Sequence, residues 1–364
     1  MAINRVELTD FLVFKNDFST DLCEGINVFI GSNGTGKTTL MKVLYWGCEF
    51  SNKSVLENGG NLLLGANKDY PFNPIFLPYA YFNQLAPEED NSKAISKIKL
   101  YNNSISQSRP VLNISTTKGL NQILLNDFAE LLQNQALVQW CKLKIQSVYI
   151  PVTEMLSHSR GFLALNRERP VPFDCTEVDI ISKAELEPTR QITENAKNAI
   201  NIISKVIGGK VVFDGKEFFI EHEDGNKISF SFEASGFRKL GLLWKLLRNG
   251  LLEKGSVLFW DEPENSLNPE LIPVLVDVLL ELSQNGVQIF LATHDYNLAR
   301  YFDVRKNRDI PVLFHNLSKE ADNEQIVCKS SSEYTMLPDN LLERANENLF
   351  EAVVTNAMGV DDDE

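Results

Sequence analysis

Short runs of unbroken apolar side chains punctuate the chain: GINVFI ending at Ile30, SVYI ahead of Pro151, SVLFW ending at Trp260, and VQIFLA ending at Ala292. Runs this short, without polar alternation, predict strands covered on both faces, as in a parallel sheet. Helical periodicity lies between the last of them. GFRKLGLLWKLLRNG puts Phe237, Leu240, Trp244 and Leu247 on one face and closes at Asn249-Gly250. PELIPVLVDVLLELSQNG reads as a helix closed by Asn285-Gly286, with Pro273 a tolerated irregularity near its start. Buried strands alternating with amphipathic helices predict an α/β fold around a mainly parallel sheet.

Other stretches carry different periods. RVELTDFLVF reads as one strand. The helix after Ile30 carries Leu40, Val43 and Leu44 and is expected to stop at Gly47. NGGNLLLG and KDYPFNP read as loop. SKIKLYNN and PVLNIST alternate like antiparallel strands, and NQILLNDFAELLQNQALVQW reads as a helix. Residues 176–206 read as helix broken at Pro188. Asp-Gly pairs at 214–215 and 224–225 predict a three-stranded antiparallel ribbon. The expected division is an N-terminal lobe over 1–150, an inserted helical lobe and ribbon over 151–234, and a C-terminal lobe over 235–364. The terminal VDDDE reads as a frayed acidic end.

Composition narrows the picture. The 364 residues carry a formal net charge of −14, which argues against a surface built to coat nucleic acid. A local groove remains open: Lys142, Lys144, Arg160, Arg167 and Arg169 either line one or are solvated helix-face charges. Five scattered cysteines without a CxxC pair read as reduced thiols. Glu7 and Asp10 interrupt the apolar start, and no apolar run reaches the ~18 residues that cross a bilayer. A cytoplasmic protein without membrane contact is expected.

Three motifs carry chemistry. GSNGTGKT, Gly31 to Thr38, fits G-x-x-x-x-G-K-[ST] between a strand and a helix. Its glycines let Asn33, Gly34, Thr35 and Gly36 turn backbone N–H groups toward phosphate oxygens, and the helix start at Lys37, Thr38 and Thr39 adds its positive end. Lys37 reaches the β- and γ-phosphates of ATP, and the Thr38 hydroxyl ligates Mg²⁺. In SVLFWDEPE, Asp261 leaves a buried strand where it can hold the same Mg²⁺, and Glu262 can take a proton from the attacking water. In VQIFLATHD, His294 follows the next buried strand and can sense the γ-phosphate.

GSNGTGKTT, DEPENSLNP and LATHD, in this order, resemble the ABC-type ATPase superfamily. VELTDFLVF, VYIPVTEMLS and NLFEAVV resemble its soluble AAA15/AAA21-type branch, related to the SMC, Rad50 and OLD ATPases. The resemblance implies a P-loop head with an antiparallel β lobe. The interval that holds a long coiled coil in SMC and Rad50 proteins lacks sustained heptads here, so a compact insertion is expected. It also implies that the loop Ser266 to Pro269 crosses to a second subunit, and that VTEM supplies Mg²⁺ or its water. Glu154 stands where a Gln is usual, and Gln84 in YFNQLA is the other candidate. The family signature, L-S-G-G-Q at a helix start, caps the γ-phosphate held by the other subunit. SFEASGFRKL offers two registers for it. One aligns Ser235 with the signature Ser and Gly236 with its first Gly; the other aligns Gly236 with the second Gly and leaves Ala234 for the Ser. Both turn Ser235 and Gly236 toward the partner's nucleotide, and Ser235 also reads as a helix cap.

The implied protein is an ATP-driven homodimeric switch, or a higher even oligomer, in DNA repair or anti-phage defence. Some seventy residues follow His294, too few for a fused nuclease, so a nuclease or toxin effector is expected to be a separate protein. The alternatives are a transporter's nucleotide-binding subunit and an ATP-binding scaffold with little turnover.

Overall fold

The computed structural model describes residues 3–53, 55–56, 62–63, 95–117, 135–168, 173–320 and 325–358. Gln84, Arg169, the KDYPFNP stretch, most of the helix expected before Trp140 and the acidic VDDDE end lie outside them. So does the side chain of Arg167.

The chain opens with a hairpin of β1 (Arg5–Phe11) and β2 (Phe14–Asp21). RVELTDFLVF is therefore two strands: Asp10 and Leu12 take positive φ and reverse the backbone ahead of Phe14. β3 (Ile26–Gly31) leads through the glycine loop into α1 (Lys37–Lys53). The helix does not stop at Gly47. A Cβ there would stand 2.1 Å from Leu100 Cδ1, so the glycine permits close packing on the neighbouring strand rather than ending the helix. β4 (Val55–Leu56) pairs with β5 (Leu62–Leu63), and β5 lies in the NGGNLLLG stretch read as loop. β6 (Ile95–Tyr101) and β7 (Leu112–Thr117) extend the hairpin into an antiparallel sheet of order β2-β1-β6-β7.

After α2 (Gln135–Lys142) comes β8 (Ser147–Ile150), then α3 (Phe162–Glu168). Pro188 lies in the break between α4 (Cys175–Ala184) and α5 (Glu194–Ile207). Asp174 caps the first of these helices in a capping box with Glu177. Gly208, with φ 68°, ends the second. β9 (Gly209–Phe213), β10 (Phe218–His222) and β11 (Lys227–Ser229) form the expected ribbon, turned at Gly215 and Gly225 with positive φ.

The remaining elements are α6 (Ser235–Arg248), β12 (Val257–Asp261), α7 (Ile272–Gln284), β13 (Gln288–Ala292), α8 (Tyr296–Arg305), β14 (Val312–Lys319), β15 (Ile326–Ser331) and α9 (Leu341–Met358). Pro273 falls in the first turn of α7, where its missing N–H costs nothing. The central sheet has the order β15-β14-β3-β13-β12-β8, and only β15 runs antiparallel.

Every residue of β3, β12 and β13 is buried, which accounts for their mainly apolar runs; the polar Asn27, Asp261 and Gln288 are buried with them. Alternation within them still sorts the two faces. Val28, Ile30, Leu258, Trp260, Ile289 and Leu291 join the core formed with α4 to α8. Phe29, Val257, Phe259 and Phe290 join the core formed with α1 and the antiparallel sheet. On that second face the rings of His315, Phe29, Phe290, Phe259 and Tyr149 stack from one strand to the next. No helix among the described residues is long and apolar enough to cross a membrane, and the five cysteines are free thiols.

Candidate active site

The parallel order β3-β13-β12-β8 brings the ends of four strands to one edge of the sheet. The glycine loop follows β3, His294 follows β13, Asp261 ends β12, and Glu154 follows β8. Three motifs far apart in sequence therefore converge because parallel strands all point the same way.

In the loop, Gly34 and Gly36 take φ of 77° and 84°. A Cβ on Gly36 would stand 2.7 Å from the Phe14 ring, so the β1–β2 hairpin walls the loop closely. Thr35 is buried and donates its hydroxyl to the Ser32 carbonyl at 2.8 Å, which holds the turn. Asn33 to Gly36, and Lys37, Thr38 and Thr39 in the first helical turn, supply the N–H groups that could cradle phosphates. Lys37 Nζ donates to the carbonyls of Gly31 at 2.9 Å and Ser32 at 3.0 Å. Burial lowers its pKa to about 8, against the opposing pull of Asp261 and Glu262.

Thr38 Oγ1 donates to Asp261 Oδ2 at 2.8 Å. Burial raises the Asp261 pKa; hydroxyl donors from Thr38 and Tyr149 counter it. A hydroxyl and a carboxylate at this spacing are hard oxygen donors that suit Mg²⁺. Glu262 follows with φ 46°, a strained conformation for a residue with a side chain. Its N–H donates to the Ala292 carbonyl at 2.9 Å, which pins it to the end of β13. Glu262 Oε1 lies 3.9 Å from His294 Nε2, both side chains about one-third exposed. Burial and then Lys37 lower the His294 pKa, so its imidazole is neutral at pH 7 and this contact is not an ion pair.

Ser235 is the first residue of α6, and the N-cap position belongs to Ala234, which has no capping side chain. The expected Ser235 cap is thus absent. Its Oγ reaches the Ser266 carbonyl at 3.4 Å instead. Gly236 is buried against the same turn, with Ser266 O 3.2 Å from where a Cβ would stand. The start of α6 and the loop leaving Glu262 are thus one packed unit.

The family described as "AAA ATPase domain" matches residues 1–168. That described as "AAA domain, putative AbiEii toxin, Type IV TA system" matches residues 154–300. A solved Smc head bound to the C-winged helix domain of ScpA superposes with a TM-score of 0.52 at 13% identity, over 92% of this chain and 99% of that one. The two matches together span residues 1–300, and the fold is that of an Smc-type head. Two curated relatives match shorter stretches of this chain. The DNA replication and repair protein RecF of Clostridium perfringens is 38% identical over 72 residues, 20% of this chain and 19% of that protein. The arginine transport ATP-binding protein ArtP of Haemophilus influenzae is 35% identical over 54 residues, 15% of this chain and 22% of that protein. The matched stretch is thus about a fifth of either relative's length.

Around the ATPase motifs, the fold adds three residues that motif reading did not single out. Lys239, one turn into α6, is buried and donates Nζ to the Glu262 carbonyl at 2.9 Å. Glu264 accepts from Thr293 Oγ1 at 2.7 Å and from His294 N at 3.3 Å, fixing the turn that carries the histidine. Tyr149, in β8, donates to Asp261 Oδ2 at 3.2 Å. The sequence signal for Glu264 was available in DEPE; Lys239 and Tyr149 look like ordinary helix and strand residues until the fold is known.

Glu154 accepts from the N–H of Leu156 at 2.6 Å and Ser157 at 3.3 Å, and it pairs with Arg238 at 3.4 Å. Its carboxylate thus links the loop after β8 to α6. Of the basic residues, Arg160 faces Glu217 at 3.9 Å, and Lys144 donates to the Asn52 carbonyl at 3.2 Å.

Proposed function

We propose that this protein binds and hydrolyses ATP and works as a nucleotide-driven dimeric switch. The observation that carries this reading is the placement of Glu262 and His294 side by side next to the Thr38–Asp261 pair and Lys37. Lys37 leaves its loop carbonyls for the β- and γ-phosphate oxygens. Thr38 and Asp261 would hold Mg²⁺, whose charge would offset the charge developing on the phosphate. Glu262 accepts the proton of the attacking water as its oxygen bonds the γ-phosphorus and the bond to the bridging oxygen breaks. Neutral His294 keeps one N–H to donate to a γ-phosphate oxygen. Glu154, held beside the signature helix by Arg238, is the candidate Mg²⁺ or water contact of the loop after β8.

Ser235 and Gly236 serve the second copy. Placed at a helix start, they supply the N–H groups that would cap the γ-phosphate bound by the partner. Two copies thereby close over ATP, and hydrolysis releases them. The RecF match supports a role in DNA repair, and the toxin-related family description supports anti-phage defence through a separate nuclease or toxin. The ArtP match favours one second reading, a transporter's nucleotide-binding subunit. That reading requires a membrane partner, and co-fractionation with membranes separates it from the first.

The test is a Glu262→Gln variant. Its steady-state turnover should fall by about a hundredfold or more, the scale of a general base. It should sediment as a dimer with ATP and Mg²⁺ and as a monomer without them. A monomer under both conditions overturns the switch, and undiminished turnover overturns the role of Glu262.

A further inference from the structure

The Asp261 carboxylate receives two hydroxyl donors on one oxygen. Thr38 Oγ1 and Tyr149 Oη both approach Oδ2, at 2.8 and 3.2 Å. This leaves Oδ1 without a claim from either. Thr38 can keep this bond while its lone pair faces a metal, because a hydroxyl donates and accepts at once. Tyr149 is different. It lies at the sheet side of the carboxylate, 1% exposed, and can reach neither phosphate nor metal without leaving the core.

The ring of Tyr149 has little freedom. It stacks on Phe259 of the adjacent strand, with centroids 6.3 Å apart and planes at 16°. It tilts against Tyr45 of α1 at 5.5 Å. Tyr45 is itself held: its hydroxyl donates to Asp179, and Lys183 Nζ reaches the same hydroxyl at 2.9 Å. The phenol is therefore aimed at Asp261 by packing from β12, α1 and α4. A phenylalanine would fill the same space, so the hydroxyl answers to the carboxylate and not to the core.

We propose that Tyr149 is a positioning residue for the metal site of this ATPase: its hydroxyl locks one oxygen of Asp261 and presents the other to Mg²⁺ or its water. The role rests on the ATP-binding reading of the phosphate loop. Groups that orient a metal-binding side chain from behind commonly govern metal affinity by about 10- to 100-fold.

Tyr149→Phe in the full chain tests this. The probe is N-methylanthraniloyl-ATP, with binding followed by fluorescence in EDTA and across a Mg²⁺ titration. Affinity in EDTA should match the parent, as should the melting temperature without nucleotide to within a few degrees. The Mg²⁺ concentration for half-maximal binding should rise about tenfold. An unchanged Mg²⁺ midpoint overturns the role. So does an equal loss of affinity in EDTA and in Mg²⁺, which would mark general damage to the site. If Tyr149→Phe unfolds, Tyr149→Met, which fills the site with a flexible apolar side chain and carries no donor, takes its place under the same two criteria. A parent chain that binds no nucleotide in either condition overturns the ATP-binding reading together with this role.

Discussion

The Thr38 hydroxyl meets Asp261 at 2.8 Å although 223 residues separate them in sequence. One residue starts α1 and the other ends β12, with β13 lying between their strands in the sheet. The contact forms only when both strands are in register with β13. Asp261→Asn keeps the shape but removes the charge that draws Mg²⁺. Turnover should fall by about a hundredfold or more, while nucleotide binding in EDTA stays within about twofold of the parent. Steady-state phosphate release and an EDTA binding titration check the two halves.

Lys239 ties α6 to the strained Glu262 backbone. Lys239→Met keeps the buried stem and removes the donor. Glu262 should then sample conformations in which its carboxylate no longer faces His294. The expected outcome is about a tenfold lower kcat with KM for ATP little changed, since the contact lies away from the phosphate cradle. A loss confined to KM would show that the tether does not serve Glu262.

Gly236 has no room for a side chain. Gly236→Val places methyl groups against Ser266 and Leu267, part of the turn that follows Glu262. ATP binding to the isolated chain should persist, because the cradle is formed by the loop after β3. ATP-dependent dimerisation of the Glu262→Gln background and turnover in the parent background should both be lost. Sedimentation velocity and a phosphate-release assay report these separately.

His315 makes stability depend on pH. Its ring is fully buried between Phe29 and the Asn27 and Ser330 side chains, and burial pushes its pKa down to about 3. Between that value and the ordinary 6.5, the unfolded chain holds a proton that the folded chain refuses. Stability therefore falls as pH drops below about 6.5, by up to about 1.4 kcal/mol per pH unit from this group. Above pH 7 the contribution is level. Urea unfolding at pH 7.5, 6 and 5 should show a shallower decline for His315→Asn than for the parent.

Much of this was legible in the chain itself. GSNGTGKT carries its own local physics, because glycine conformations and a helix start are decided within a few residues. The apolar runs of β3, β12 and β13 announced a sheet covered on both faces, and the Asp-Gly pairs announced the ribbon, since turn chemistry is equally local. The turn at Leu12 was missed because alternation continues through it. Gly47 misled because a glycine that admits a neighbouring Leu100 looks like one that ends a helix. Only the tertiary structure decided that Thr38 and Tyr149 both donate to Asp261, that Glu262 is held by Lys239, and that Glu154 faces Arg238. These contacts depend on strand order and on where helices lie across the sheet. Periodicity says which face of an element is buried; it does not say which element covers that face, and that pairing sets the second ring of groups around the site.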